Sequence, residues 1–588
     1  MRATRDLPLA ASLLLVGLAL FFGGGPRYGS VPWLGAGALA AIVVLLAAVG
    51  VPGGWPRLVP LALLAVWLAL SISWSALPDR SWDYANRTFV YALFAALGLW
   101  VSARTRELAL GLMALFGALV VWSLLGKVLP FVYDYGSLQV GRLRGPIGLW
   151  NQLALACVFA LPLALWRRRL EGALLAYAAM VALLLTYSRG GLITAFVVVG
   201  AWLVLDENTT ESATTLVAAA VPAAVVVGIA FALPGVTGDA QPSHVRWRDG
   251  LIFGALLVAG AVAAALLRRV PLPPLSRRAV VAAGIVVLLA LAVVLVVKGG
   301  GSGAVGNSSG RLGSTSSNFR LTWWKQALQG WQHDPVAGTG AGSFHVTNVR
   351  YRTSFLDFTT EPHDLPLQFL SEAGIVGLAL LAVAMALLYP GRRRGHELAL
   401  ALMLPAYLVH SLLDIDWDFV AVSAPAFLAA GALVGRRPVR RVSPFAVLAA
   451  AGTSLLVFVV LLLPWLGERW SDDATFTASP ARSIELAKRA RSVDPLLVEP
   501  LWALALAEDE RNDVARSLAY YEDATRVQPE NAQTWLAAGR YALEIGCARR
   551  ALQHFYRFNA LDKYARPSDG PDDYQRALRL VNTGKPRC

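Results

Sequence analysis

Long apolar runs separated by short polar ones dominate the first 467 residues. Runs long enough to cross a hydrocarbon core of about 30 Å centre near residues 15, 41, 66, 94, 117, 159, 179, 198, 223, 258, 288, 378, 404, 427 and 455. Adjacent runs merge, so the pattern predicts an all-α polytopic membrane protein with about 12–15 transmembrane helices. The first run, in MRATRDLPLAASLLLVGLALFFGGG, superficially resembles a signal peptide. Its length and the poor cleavage site in FFGGGPRYGS favour a retained first span. Two regions leave the apolar pattern: a long loop over 299–366, and residues 468–588, which are polar with helical periodicity. The expected division is a membrane domain over 1–467 carrying the large loop 299–366, and a helical domain over 468–588.

Composition agrees with membrane embedding. The chain is 56% hydrophobic and 15% charged, against about 25% charged in soluble domains. The net charge of +14 reads as basic cytoplasmic loops and not as nucleic-acid binding. RTRE (104–107), RRRLE (167–171), RRVPLPPLSRR (268–278), GRRRGHE (391–397) and GRRPVRR (435–441) are short and basic, and belong inside. With the N-terminus inside, they follow spans four, six, ten, twelve and fourteen, so parity agrees for all five. DENTTES, after span eight, is acidic and gives no support. The same parity places 130–150, the YSRGG turn, 235–249, 299–366, DIDWD (414–418) and everything after residue 467 outside.

The outer segments hold the candidate chemistry. In TYSRGG, Arg189 closes a helical hairpin, with Gly190 and Gly191 permitting a tight turn. GRLRGPIGLWNQLA carries Arg142, Arg144 and Asn151. The long loop starts as a Gly/Ser-rich linker, then becomes FRLTWWKQALQGWQHDPVAGTGAGSF. Arg320, Trp324 and Leu328 recur every four residues and predict one helix face. HDPVAGTGAGSF is a turn, and without a preceding strand it is a weak phosphate signal. His363 stands just ahead of a membrane helix, between Pro362 and Pro366. His410 and Asp414 are expected one turn apart on one face of span thirteen. Asp414, Asp416 and Asp418 alternate, but no His, Cys, Asp or Glu spacing argues convincingly for a metal, and none is predicted. Cys157, Cys547 and Cys588 form no disulfide framework or metal motif. Outward-facing arginines run against the topological bias and suit bidentate phosphate recognition. Beside one histidine, they point to an anionic, membrane-anchored substrate attacked by a group that loses a proton. A lipid diphosphate fits.

In RLRGPIGLWNQLA (142–154), TYSRGG (186–191) and above all 319–377, the chain resembles the O-antigen ligase and O-antigen polymerase superfamily of bacterial membrane glycosyltransferases. The last stretch follows the pattern R-x-x-x-W, P-x-x-G-x-G, then H-N-x-x-L-x-x-x-x-E-x-G-x-x-G, with His363-Asp364 in place of His-Asn and Glu372 at the acidic position. The resemblance covers about residues 1–440. It implies transfer of a glycan from a polyprenyl-diphosphate donor, without metal or cofactor. Arg189 and Arg320 would hold the diphosphate, assisted by Arg142 or Arg144. His363 would be the catalytic base or orient the acceptor, with Asp364, Asn151 and Glu372 as acceptor or orienting groups. The acceptor stays open between glycan, lipid and protein, and ligase stays open against polymerase. A lipid-linked oligosaccharide transporter is the alternative from another class, although charges gathered at one face disfavour it. A non-catalytic scaffold carrying repeats is the third.

In the tail, AKRARSVDP (487–495) and YEDATRVQP (521–529) align, with Pro495 and Pro529 standing 34 residues apart. That is the tetratricopeptide period. The tail is expected to hold two or three degenerate repeats, packing on the membrane domain or on an envelope protein partner.

Overall fold

The computed structural model describes residues 2–23, 25, 28–132, 140–270, 272–279, 281–286, 306 and 308–583. The core of the apolar stretch centred near 288, the start of the Gly/Ser-rich linker and Cys588 lie outside the described residues. The chain is helical. In order come α1 (Arg2–Phe22), α2 (Val31–Ala48), α3 (Val59–Ser71), α4 (Pro78–Val101), α5 (Thr105–Val128), α6 (Trp150–Arg167), α7 (Leu170–Leu185) and α8 (Arg189–Leu205). Next are α9 (Thr209–Ala230), α10 (Pro234–Thr237), α11 (Ser243–Leu267), α12 (Arg320–His333), α13 (Phe344–Tyr351), α14 (Leu365–Leu388), α15 (Gly395–Ala401), α16 (Met403–Ser411), α17 (Val420–Val434) and α18 (Pro444–Phe476). The tail holds α19 (Pro480–Val493), α20 (Glu499–Glu510), α21 (Val514–Val527), α22 (Ala532–Glu544), α23 (Ala548–Leu561) and α24 (Pro571–Asn582).

Every apolar centre read from the sequence, except that near 288, falls on a helix. Among the described residues, six helices are long and apolar enough to cross a membrane: Tyr28–Ala48, α5, α9, α11, α14 and α18. Asp6–Phe22, Trp55–Ser71, α7, α8 and α17 are apolar but shorter. Other apolar stretches keep their helices but depart from that set in charge or continuity. The first turns of α4 carry Asp79, Arg80, Asp83, Asn86 and Arg87, and the stretch around 404 is divided between α15 and α16 at Leu402.

The fold divides into two compact units. The first comprises Met1–Val59, Val90–Phe319 and Ala384–Ser454, and the second Pro60–Phe89, Arg320–Val383 and Leu455–Cys588. In the first, α6 and α17 are buried on all sides, over Asn151–Leu165 and Val420–Val434. Small residues bring α4 and α17 close: a Cβ on Gly431 would lie 2.0 Å from the Ala95 carbonyl oxygen. The basic loops of this unit meet one another. Arg104 pairs with Asp6 at 2.5 Å and Thr105 Oγ1 lies 3.1 Å from His396 Nε2. Strand β1 (Val51–Gly53) pairs antiparallel with β2 (Arg436–Arg440). Arg168 reaches Asp206 at 2.5 Å, Arg268 reaches Glu211 at 3.1 Å, and Arg394 reaches Glu207 at 2.7 Å. The acidic DENTTES loop, silent in the parity argument, thus lies among the basic loops because its carboxylates are their partners.

In the second unit, α14 is broken at Gly374, whose φ of 65° and ψ of −169° are not helical. The break exposes backbone groups, and the turn 335–342 pairs with them. Thr339 and Gly340 amides donate to the Ser371 and Glu372 carbonyls at 3.1 and 2.8 Å, and the Ile375 amide donates to the Pro335 carbonyl at 3.0 Å. Trp67 Nε1 takes the Ala373 carbonyl at 2.9 Å. The tail helices α19–α24 each pack on the next.

Gly374 is held where a side chain does not fit: a Cβ there would lie 2.1 Å from the Val336 carbonyl oxygen. That combination of positive φ with extended ψ is essentially glycine-only and costs another residue on the order of 1–3 kcal/mol. Gly374→Ala is therefore expected to lower the thermal unfolding midpoint of the purified protein in detergent, and an unchanged midpoint would contradict the clamp.

Candidate functional site

In the second unit, the predicted His363 meets a tryptophan of α12 in one aromatic pair. His363 stacks on Trp323, with ring centroids 5.0 Å apart and planes 22° apart. His363 itself has φ of 57°, a left-handed conformation that costs energy in a non-glycine residue and persists only where its surroundings enforce it. Those surroundings are polar. Trp323 Nε1 donates to the Asp357 carbonyl at 2.7 Å. Asn348 Nδ2 donates to that same carbonyl at 3.0 Å and to Gln326 Oε1 at 2.8 Å. On the chain around the histidine, Gln368 Nε2 donates to buried Glu361 at 2.6 Å and to the Tyr84 hydroxyl at 3.1 Å. Arg320 opens α12 one turn before Trp323, which places it on the same side of that helix.

The buried face of α12 is Trp323, Gln326, Ala327 and Gly330. The expected face through Trp324 and Leu328 is therefore turned, and Leu328 is 39% exposed. The face was misread because its centre is Gln326, a polar residue buried by hydrogen bonds instead of apolar contact.

Asp364 and Glu372 prove to be tied to backbone. Asp364 Oδ1 accepts the Leu367 amide at 2.8 Å and caps the start of α14. Glu372 accepts the Gly342 and Phe344 amides at 2.9 and 3.0 Å, one on each carboxylate oxygen, which fixes the glycine-rich turn and the first turn of α13. The amides of that turn are engaged by protein acceptors, so it does not serve as a phosphate cradle. Burial pushes the Asp364 carboxyl up to about 6, against the opposing pull of the Leu367 amide.

In the first unit, a buried polar chain joins the other motifs. Arg142 is 2% exposed, donates from Nε to the Thr186 carbonyl at 2.9 Å and from Nη2 to Asn151 Oδ1 at 3.4 Å, and lies 3.9 Å over the Trp150 ring. Asn151 Nδ2 donates to Asp414 at 2.5 Å, and Gln152 Nε2 reaches Asp414 and Asp416 at 3.4 and 3.1 Å. Asp414 does not continue the helix that carries His410. The helix α16 stops at Ser411, the chain turns back, and His410 Nδ1 lies 2.7 Å from Asp416. Arg189 is the first residue of α8, after Ser188 caps the Gly191 amide at 3.1 Å, and its guanidinium reaches the Ser314 carbonyl at 2.5 Å. Arg144 lines a small cavity with Lys127, Arg142 and Arg246. Among the described residues, no group of three or more His, Cys, Asp or Glu is arranged to hold a metal.

Sequence reasoning missed Lys127, Asp357, Glu361 and Gln326. Lys127 carries the one visible signal, a lone cation at the end of an apolar helix, where an intramembrane charge marks a structural or functional partner. It donates to the Gly141 and Val236 carbonyls at 2.7 and 2.8 Å.

A multi-pass helical membrane protein with a histidine stacked on a helix-borne tryptophan ahead of a broken helix defines the class. Residues 248–382 match the O-antigen ligase family, which supports a membrane enzyme that transfers a glycan. The match spans Arg320, His363, Asp364 and Glu372, while Arg142, Arg144, Asn151 and Arg189 lie outside it. No curated protein matches the chain.

Two outcomes follow from the local chemistry. Asp414→Ala removes the acceptor of Asn151 and Gln152 and leaves buried Arg142 poorly compensated. It should lower the thermal midpoint strongly, since breaking a buried charged network costs about 3–5 kcal/mol. Arg320→Ala, at a half-buried position, should leave that midpoint nearly unchanged. For Asp364, the folded value of about 6 lies above the ordinary 3.8. Between those values the folded protein binds more protons than the unfolded chain, so stability falls as pH rises from about 4 to 6 and is flat above. Asp364→Asn keeps the cap and should remove that slope, whereas Asp364→Ala should cost about 1 kcal/mol, both read from unfolding midpoints across pH.

Proposed function

We propose that the protein transfers a glycan from a polyprenyl-diphosphate-linked donor to an acceptor hydroxyl at the outer face of the cytoplasmic membrane, in the manner of an O-antigen ligase. The observation that carries this reading is His363, held in a strained backbone conformation against Trp323, with Arg320 one turn away on the same helix. The acceptor oxygen attacks the anomeric carbon, the bond from that carbon to the diphosphate oxygen breaks, and the diphosphate leaves. His363 takes the hydroxyl proton. Arg320 stabilises the charge that develops on the leaving group, a contribution of several kcal/mol for such donors. Phosphate binding is assigned to Arg189 as well, because it starts α8 at a helix N-terminus, where an anion is favoured. Arg144, beside Lys127 and Arg246, is the assisting arginine, and Arg142 braces the turn. Asp364, Asn151 and Glu372 position backbone and neighbours instead of meeting the acceptor.

The outward placement rests on the basic-loop parity. The tail is read as tetratricopeptide-like. Its helices are 12–14 residues long and pack in sequence, a scaffold suited to an envelope partner. The acceptor is a glycan, lipid or protein. Polymerisation of lipid-linked repeat units is the neighbouring activity of the same chemistry.

The test is transfer by the purified protein in lipid vesicles supplied with a polyprenyl-diphosphate glycan. His363→Ala should reduce turnover by about 10²–10⁴ while donor binding persists. His363→Gln can orient an acceptor but cannot take a proton, so near-normal turnover in that variant would remove the base role. Full turnover in Arg320→Ala at normal protein level would remove the diphosphate role.

A further inference from the structure

Helix α13 lies between two partners, and both belong to the second unit. On one side, Asn348 joins α12 through Gln326 and holds the Asp357 carbonyl. On the other side, Val349 is part of the tail's hydrophobic core, with Leu536, Phe555 and Phe558. Just past the helix, Arg352 donates to Asp562 with both arms of its fork, Nε to Oδ1 at 3.0 Å and Nη2 to Oδ2 at 2.5 Å. The two side chains are only 8% and 3% exposed. Arg350 pairs with Glu530 beside it. The Arg566 guanidinium lies 5.5 Å over the Phe355 ring, two residues before Asp357. A buried bidentate arginine–carboxylate pair fixes direction as well as distance.

Resting on the reading of His363 given above, we propose that the C-terminal helices are a positioning element of the transfer site. The Arg352–Asp562 pair holds α13 and the 353–357 turn, and through the Asp357 carbonyl sets the Trp323 ring on which His363 stacks. Arg352 and Asp562 are positioning residues that do not meet substrate. The tail contributes to catalysis by geometry, and severing the pair loosens the segment that bears the histidine.

The experiment uses the full-length protein in vesicles, with Arg352→Asp, Asp562→Arg, the double reversal, and the milder Asp562→Asn. Hydrogen exchange of the segment 353–363 is measured beside turnover and KM for a polyprenyl-diphosphate glycan. Each single reversal should speed exchange in 353–363 and lower kcat roughly tenfold or more, since small misplacements at a reacting centre are costly, with little change in KM. The double reversal should restore much of both, and Asp562→Asn should fall between. If the single reversals fail to reach the membrane, Asp562→Asn carries the test alone. Exchange in 353–363 identical to wild type in the variants that do reach it overturns the proposal, as does a double reversal no better than either single. Wild-type turnover in His363→Ala would instead overturn the reading of the histidine and leave the exchange result standing as evidence for the clamp.

Discussion

The break in α14 at Gly374 is the constraint on which the rest of the second unit depends. A helix that opens at membrane depth leaves amides and carbonyls that lipid cannot satisfy. Here the Ser371, Glu372 and Ala373 carbonyls and the Ile375 amide find partners in the turn 335–340 and in Trp67. The turn can approach only because Gly338 and Gly374 carry no side chain, and a Cβ on Gly338 would lie 2.3 Å from the Glu372 carbonyl carbon. Glu372 then closes the arrangement by capping the amides that start α13. The glycine-rich stretch and the E-x-G stretch are two halves of one joint, which explains why they stand together in the sequence. Because the joint fixes α13 and the first half of α14, it also fixes the two ends of the segment that carries His363.

How much of this was legible depends on the kind of signal. Helix positions were legible because apolar runs must be about as long as the bilayer is thick, whatever packs around them. The grouping of the loops was legible because charge obeys topology. DENTTES was not, since an acidic loop says nothing about side until Arg168, Arg268 and Arg394 are seen to claim its carboxylates. His363 and Arg320 were found by motif order, whereas Trp323, one residue short of the tryptophan in R-x-x-x-W, was not. The network behind them was not: Asp357, Glu361 and Gln326 have no mutual spacing in sequence, and their partners Asn348, Gln368 and Tyr84 arrive from other elements. The 410–416 segment shows the opposite failure. Helical spacing put His410 and Asp414 on one face of a continuous helix, whereas the helix ends at Ser411 and His410 Nδ1 lies against Asp416.

The substitution of Asp364 for the asparagine of the resembling pattern changes less than its charge suggests. Aspartate and asparagine cap a helix N-terminus about equally well, and the atom used here, Oδ1 accepting the Leu367 amide, exists in both. What differs is titration. An asparagine beside the histidine is inert, whereas this carboxyl, raised to about 6 by burial, becomes more fully ionised as pH rises through neutrality. The same residue thus keeps the fold of the motif and adds a titrating group to it.

The arginines that charge parity assigns to the outer side, alike in sequence, divide by what surrounds them. Arg142 is enclosed by Trp150, Asn151 and the Thr186 carbonyl. In that setting an anionic ligand would have to displace hydrogen bonds already made in a dry interior, which costs more than a new bond to phosphate returns. Arg189 and Arg320 each stand at the first residue of a helix and are half-buried. Backbone amides at a helix start add their own attraction for an anion without needing a second buried charge. The polar chain from Arg142 to Asp416 therefore serves best as the fixed frame from which the TYSRGG turn is hung, because Arg142 holds the Thr186 carbonyl three residues before Arg189. Arg142, which looks like a ligand in sequence, is here part of the support that fixes where Arg189 stands.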